Sequence, residues 1–200
     1  MTPITSLSQL DMNGTYSYAD YLLWQFDERV ELLKGKIRAM SPAPSTKHQA
    51  VASNLCREFL IFFKKNTCKV FFAPFDVRLY NRTISEKKNK EVFTVVQPDI
   101  CIVCNREILD EKGCNGAPDL IVEILSSGNA KTDLKDKYKL YAQAGVREYW
   151  IVYPLEESIA QFVLNLENEY QLLRLHANEG IITPHLFPEL AMNLADVFEG

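Results

Sequence analysis

The chain is 200 residues long with a mass of 22.9 kDa, the size of one domain with at most short extensions. Hydrophobic residues make up 47% and charged residues 24%, a mixture that excludes a disordered or low-complexity protein. The net charge of −4 excludes a protein that coats nucleic acid by bulk positive charge, although an enzyme whose carboxylates bind a metal fits that charge.

Residues 1–15 are expected to be a polar lead-in to one domain over residues 16–200. Spacing of apolar residues predicts a helix at 16–29, a hairpin at 30–40 that turns at Gly35, and a helix at 47–65. Strands are then expected at 69–80, 92–104 and 118–125, with loops at 81–91 and 105–116 between them. A helix at 131–144, a strand at 148–152, a hairpin at 161–173 and a short helix at 194–198 follow. This order predicts an α/β fold in which a mixed central sheet is flanked by helices.

The apolar runs are too short to cross a membrane, and the first residues lack the basic start and apolar core of a signal peptide. We therefore expect a cytoplasmic protein without a membrane partner. The five cysteines have no regular spacing and are expected to be reduced thiols. Cys101, Cys104 and Cys114 leave a structural zinc site as an alternative, which is weakened because Cys101 and Cys104 should point to opposite faces of a strand.

Two carboxylates interrupt strands that are otherwise apolar. Glu123 lies in the run DLIVEIL at 119–125, and burying a carboxylate is costly unless it is paired, protonated or bound to a metal. Asp99 follows Pro98, and a proline marks a strand start or bulge, where a side chain can be aimed into a site. The alternatives are a structural ion pair or an edge strand for Glu123, and a turn residue for Asp99.

Three further polar residues lie within apolar patterns. Lys137 falls on the inner face of the helix predicted at 131–144, although a surface pair with Asp133 is an alternative. His48 begins the inward stripe of its helix, and Glu31 is the one carboxylate in an apolar strand. Taken singly, each has an ordinary structural explanation as well as a functional one.

The acids and the lysine together resemble the PD-(D/E)XK nuclease superfamily, and the chain is similar to its Uma-type restriction endonuclease family from residue 18 to the end. The segments that carry the similarity are ELLKGKI at 31–37, MSPAPSTKH at 40–48, APFDVRL at 73–79, QPDI at 97–100, PDLIVEILS at 118–126, and DxxxK…LYAxAGVxEYWIV within 133–152. The resemblance implies a restriction-endonuclease-like core and Mg²⁺-dependent hydrolysis of phosphodiester bonds, with Mn²⁺ able to substitute.

The resemblance also implies a set of site residues. Asp99 matches the superfamily's first metal-binding acid and Glu123 its second, with Glu31 as an additional acid at the metal and His48 as the family's histidine. The superfamily's lysine would lie two residues after Glu123, where this chain has a leucine, and the resemblance implies that Lys137 replaces it. The catalytic residues expected on this basis are Glu31, His48, Asp99, Glu123 and Lys137.

The resemblance implies a Mg²⁺-dependent endonuclease. Its partner is expected to be nucleic acid, and DNA is the expected substrate. The alternative is a catalytically silent nuclease fold that serves as a binding or assembly module. A homodimer is a further expectation, because related nuclease folds pair as dimers to cut two strands. The basic residues either contact DNA phosphates or form a solvated loop; they are Arg78, Arg82, Lys87, Lys88 and Lys90.

Overall fold

The computed structural model describes residues 3–40, 44–80, 91–126, 130–177 and 179–200, with the side chains of 130–133 excepted. The helices in these ranges are α1 (Tyr18–Tyr21), α2 (Thr46–Phe63), α3 (Ala130–Ala144) and α4 (Leu194–Phe198). The strands are β1 (Val30–Leu33), β2 (Lys36–Ala39), β3 (Lys69–Phe72), β4 (Val77–Leu79), β5 (Thr94–Val96), β6 (Ile100–Val103), β7 (Leu109–Asp110), β8 (Gly113–Asn115), β9 (Leu120–Ile124), β10 (Glu148–Tyr153), β11 (Ser158–Leu164), β12 (Tyr170–Ala177), β13 (Ile181–Ile182) and β14 (Met192–Asn193). No helix in this part of the chain is both long and apolar enough to span a membrane.

The strands form two six-stranded sheets and a small ribbon. The first sheet has the order β2-β1-β5-β4-β8-β7, the second has the order β12-β11-β10-β9-β6-β3, and β13 pairs with β14. Strand β9 lies inside the second sheet, parallel to β10 and antiparallel to β6. The mixed α/β class predicted from the sequence is confirmed, with two large sheets where a single one was expected.

Side chains of the second sheet alternate between two apolar cores. Ile100 and Ile102 of β6 face a core that includes the stripe of α2 formed by Val51, Leu55 and Phe59. Cys101 and Val103, on the opposite face of β6, join a second core with α3 and the first sheet. The second sheet is thus covered by α2 and α4 on one face and by α3 and the first sheet on the other.

Both long strands predicted in the middle of the chain are divided at a proline. The predicted strand 69–80 splits into β3 and β4 around Pro74, and 92–104 splits into β5 and β6 around Pro98. Proline has no N–H to give to a sheet ladder, so a strand readily ends there. At each break the chain passes from one sheet to the other, and the second break places Asp99 at the junction between the sheets.

Two other elements differ from the sequence prediction. The helix expected at 16–29 ends after one turn, because the backbone N–H of Gln25 bonds to the carbonyl of Ile4 and draws the chain into an extended segment. The loop expected at 105–116 contains β7 and β8. The remaining predicted helices and both hairpins are confirmed, the second hairpin being longer than expected at Ser158–Ala177.

Two of the five cysteines are joined in a disulfide. Because Lys69 pairs with Val103 across β3 and β6, Cys68 and Cys104 lie opposite each other just beyond that pair, and they are bonded. The expectation that all five cysteines are reduced thiols is therefore wrong for these two. Cys104 is unavailable to the zinc site considered above, and the free thiols Cys101 and Cys114 are buried in the apolar core.

Candidate active site

Five polar side chains from separate elements line one cavity of about 930 Å³. Glu31 comes from β1, Asp99 directly precedes β6, and Glu123 lies on the central strand β9. Lys137 reaches the cavity from α3, and His48 lies in the first turn of α2. The structure therefore brings together every residue that the sequence predicted for the site.

Lys137 connects two of the carboxylates. Its Nζ lies 2.9 Å from Oε1 of Glu31 and 3.0 Å from Oε1 of Glu123. Lys137 is only 6% exposed and Glu31 only 2%, so the ammonium and the carboxylates compensate one another away from water. These two glutamates are the partners of Lys137 within the described residues, and the alternative pair with Asp133 involves a side chain that lies outside them.

The hydrogen bonds to the two glutamates leave one side of each carboxylate available. Tyr141 donates its hydroxyl hydrogen to Oε1 of Glu123 at 2.6 Å, and the backbone N–H of Gln97 donates to Oε1 of Glu31 at 2.8 Å. Together with the two bonds from Lys137, every hydrogen bond from a described residue to these carboxylates ends on Oε1. The Oε2 atoms are left for a ligand in the cavity.

Asp99 is oriented from two sides. Its Oδ2 accepts a hydrogen bond of 2.7 Å from the backbone N–H of Ile124, which fixes the carboxylate to the strand that carries Glu123. Nε2 of His48 lies 3.4 Å from Oδ1. Burial would lower the pKa of His48, but the hydrogen bond and charge of Asp99 outweigh it and raise that pKa above its ordinary value.

The neighbouring carboxylates affect the pKa of Glu123. Burial, together with the charges of Asp99 and Glu31, raises its pKa to about 7, although Lys137 and the Tyr141 hydroxyl act in the opposite direction. Burial would lower the pKa of Lys137, but the two glutamates outweigh it and hold that pKa well above its ordinary value. Lys137 is therefore charged throughout the physiological pH range, whereas burial and the neighbouring acids make the ionised form of Glu123 costly.

This donor set suits a hard divalent cation. Mg²⁺ is bound through one or two carboxylates together with water and substrate phosphate oxygens, so Asp99 and Glu123 suffice as protein ligands. The described residues contain no cluster of three or more His, Cys, Asp or Glu side chains arranged to hold a metal by themselves. The residues therefore fit Mg²⁺ shared with substrate rather than a closed protein cage.

Two residues at the site were missed at the sequence level. Tyr141 lies four residues after Lys137, which places both on one helix face, but a tyrosine among apolar residues of a helix looks like an ordinary core residue. Gln97 donates through its backbone to Glu31, and its side chain bonds Arg29 and Asp76. A backbone donor leaves no signal in residue type, which is why Gln97 could not be recognised.

The basic stretch proposed for phosphate contact is corrected at one residue. Arg78 is 2% exposed, pairs with Asp110 at 2.7 Å and lies over the ring of Tyr18. It therefore stabilises the first sheet and is inaccessible to a phosphate. The other four residues of that stretch lie outside the described residues.

The structure is a mixed α/β fold of two six-stranded sheets, with three acids and a lysine gathered in one cavity. The sequence profile of the Uma2 family, described as "Putative restriction endonuclease", matches residues 18–195, and the chain belongs to this family. A crystal structure of a "putative nuclease belonging to DUF820" from Anabaena variabilis ATCC 29413 is similar at 21% identity and a TM-score of 0.69, over 92% of this chain and 97% of that one. Among proteins of curated function, none matches the chain significantly. The comparisons support a nuclease in general terms.

Proposed function

We propose that the protein is a metal-dependent endonuclease that hydrolyses phosphodiester bonds in DNA. The observation that carries the proposal is the convergence of Glu31, Asp99 and Glu123 with Lys137 in one cavity. Mg²⁺ held by Asp99 and Glu123 would supply an activated water and neutralise charge on the phosphate, and Mn²⁺ can take its place. The alternative, a catalytically silent binding module, would have no need for this costly cluster.

Each residue of the chain has a distinct part in this proposal. Lys137 has three N–H donors, of which Glu31 and Glu123 take two, so the third can orient a water or stabilise charge on a phosphate oxygen. Glu31 holds Lys137 in place, and its expected role as an additional acid at the metal stays a prediction. His48 orients Asp99, which keeps that ligand directed towards Glu123.

The test is cleavage by the purified full chain of supercoiled plasmid and of a single-stranded circular DNA, each in Mg²⁺, in Mn²⁺ and in EDTA, with an RNA of equal length as a third substrate. We expect nicking or linearisation of the DNA only with metal, and no cleavage by Asp99→Asn. Asp119→Asn is the matched control, because Asp119 contacts Cys104 and Arg147 but does not line the cavity. Absence of cleavage by the parent under all conditions would favour the silent module.

Two further expectations remain predictions. A homodimer would place two cleavage sites on one duplex, and sedimentation of the full chain decides whether it forms. The cytoplasmic location is likewise a prediction, to be checked by fractionation of cells that express the protein.

A further inference from the structure

Large apolar side chains form one wall of the same cavity. Leu60 and Ile61 of α2 and Phe72 of β3 line it and are 47%, 67% and 56% exposed. We call these three residues the apolar wall. They are exposed within a concave surface that also contains the acids, which distinguishes them from scattered apolar residues elsewhere on the surface.

Backbone contacts fix the apolar wall relative to the acids. Phe72 is paired with Ile100, the residue after Asp99, and the N–H of Ala73 bonds to the carbonyl of Asp99 at 3.1 Å. Along α2 the cavity runs from His48 to Ile61, a rise of about 20 Å at 1.5 Å per residue. The cavity is therefore a groove along α2, with His48 towards one end and Leu60 and Ile61 towards the other, and Phe72 lies beside Asp99.

Building on the function proposed above, we propose that the substrate is single-stranded nucleic acid, with an unpaired base stacked on Phe72 while the adjoining phosphate reaches the cation that Asp99 and Glu123 would hold. A duplex presents charged phosphates and sugars to a protein groove, so it would gain little from apolar side chains beside the cleavage site. An unpaired base offers an apolar face, and stacking on an aromatic residue contributes about 1–3 kcal/mol per base.

The size and charge of the groove agree with this substrate. Its volume of about 930 Å³ lies within the range of about 300–1,000 Å³ that is typical of sites for small molecules, which suits one or a few nucleotides better than a duplex. Arg29 and Arg57 also line the cavity, where Arg29 bonds the side-chain oxygen of Gln97 and Arg57 pairs with Glu58 at 3.1 Å. The groove therefore carries positive as well as negative charge along its length, which suits the phosphates of a flexible strand.

The experiment measures binding separately from cleavage. Fluorescence anisotropy of a labelled single-stranded oligonucleotide, and of the same strand annealed to its complement, is recorded with the full chain in Ca²⁺, which takes similar oxygen ligands. The variants are Phe72→Ala, Phe72→Trp and, as a matched control, Phe93→Ala, since Phe93 is 42% exposed but does not line the cavity. Sedimentation of each variant shows whether Phe72 instead contributes to a contact between copies of the chain.

We expect the single strand to bind more tightly than the duplex and Phe72→Ala to weaken that binding about 5- to 150-fold. Phe72→Trp should retain the affinity, and Phe93→Ala should leave it unchanged. Equal or tighter duplex binding, an unchanged affinity in Phe72→Ala, or a dimer lost in that variant without an effect on binding would overturn the inference. Phe72-dependent binding without any metal-dependent cleavage would support this inference and refute the proposed endonuclease.

Discussion

Replacing Glu123 by glutamine should stabilise the metal-free protein at alkaline pH. The pKa of Glu123 is about 7 in the folded protein and near 4.5 ordinarily, so between these values the folded state binds more protons than the unfolded state. The free energy of unfolding therefore falls as the pH rises from about 4.5 to about 7. At 1.36 kcal/mol per pH unit, the ionised carboxylate costs the folded protein about 3 kcal/mol once the pH exceeds 7.

Glutamine cannot ionise and removes this cost. The difference in melting temperature between Glu123→Gln and the parent in EDTA should be small near pH 5 and reach about 6–12 °C near pH 8.5, at about 2–4 °C per kcal/mol for a chain of this size. Scanning calorimetry at both pH values measures it, and Glu156→Gln, at an exposed carboxylate, is the control. If Glu123→Gln melted several degrees below the parent at both pH values, the ion pair with Lys137 would stabilise the folded protein by more than the buried carboxylate costs it, and the reasoning would be refuted.

Two more variants probe the same cluster. Lys137→Ala leaves Glu31 and Glu123 buried without the ammonium that pairs with them. We therefore expect the free energy of unfolding, measured with denaturant in EDTA near pH 8, to fall by about 3–5 kcal/mol. An unchanged denaturation midpoint would contradict a stabilising role of the ion pairs. Tyr141→Phe removes a hydrogen bond that lowers the pKa of Glu123, so the acid side of the pH profile of the cleavage rate should move to higher pH. The same variant should lose about 1 kcal/mol of folding stability. A lower rate with an unmoved acid side would show that Tyr141 acts only through packing.

Much of the site could be predicted because its residues contradict the pattern around them. Glu123 lies in a buried strand whose other residues are apolar. Because burying an unpaired carboxylate is costly, the sequence already predicted a compensating partner for it. Lys137 could be placed because the helical period puts it on the inner face of α3. The family resemblance then joined residues that are far apart in sequence.

What could not be predicted depends on contacts between distant segments. The segments 69–80 and 92–104 were each predicted as one strand, since sequence alone does not show that β4 and β5 belong to a different sheet from β3 and β6. The short α1 likewise results from a bond to Ile4, which outweighs helical spacing. Arg78 was placed in a basic stretch on charge alone, whereas its partner Asp110 lies on β7, which only β8 separates from β4 in the first sheet.

The central claim is that Asp99 and Glu123 hold one divalent cation between them, and calorimetric titration of Mn²⁺ into the full chain tests it directly. We expect one binding event per chain, strongly weakened in both Asp99→Ala and Glu123→Ala and retained in Asp119→Asn, whose side chain lies outside the cavity. Undiminished Mn²⁺ affinity in either alanine variant would remove that residue from the site and contradict the account.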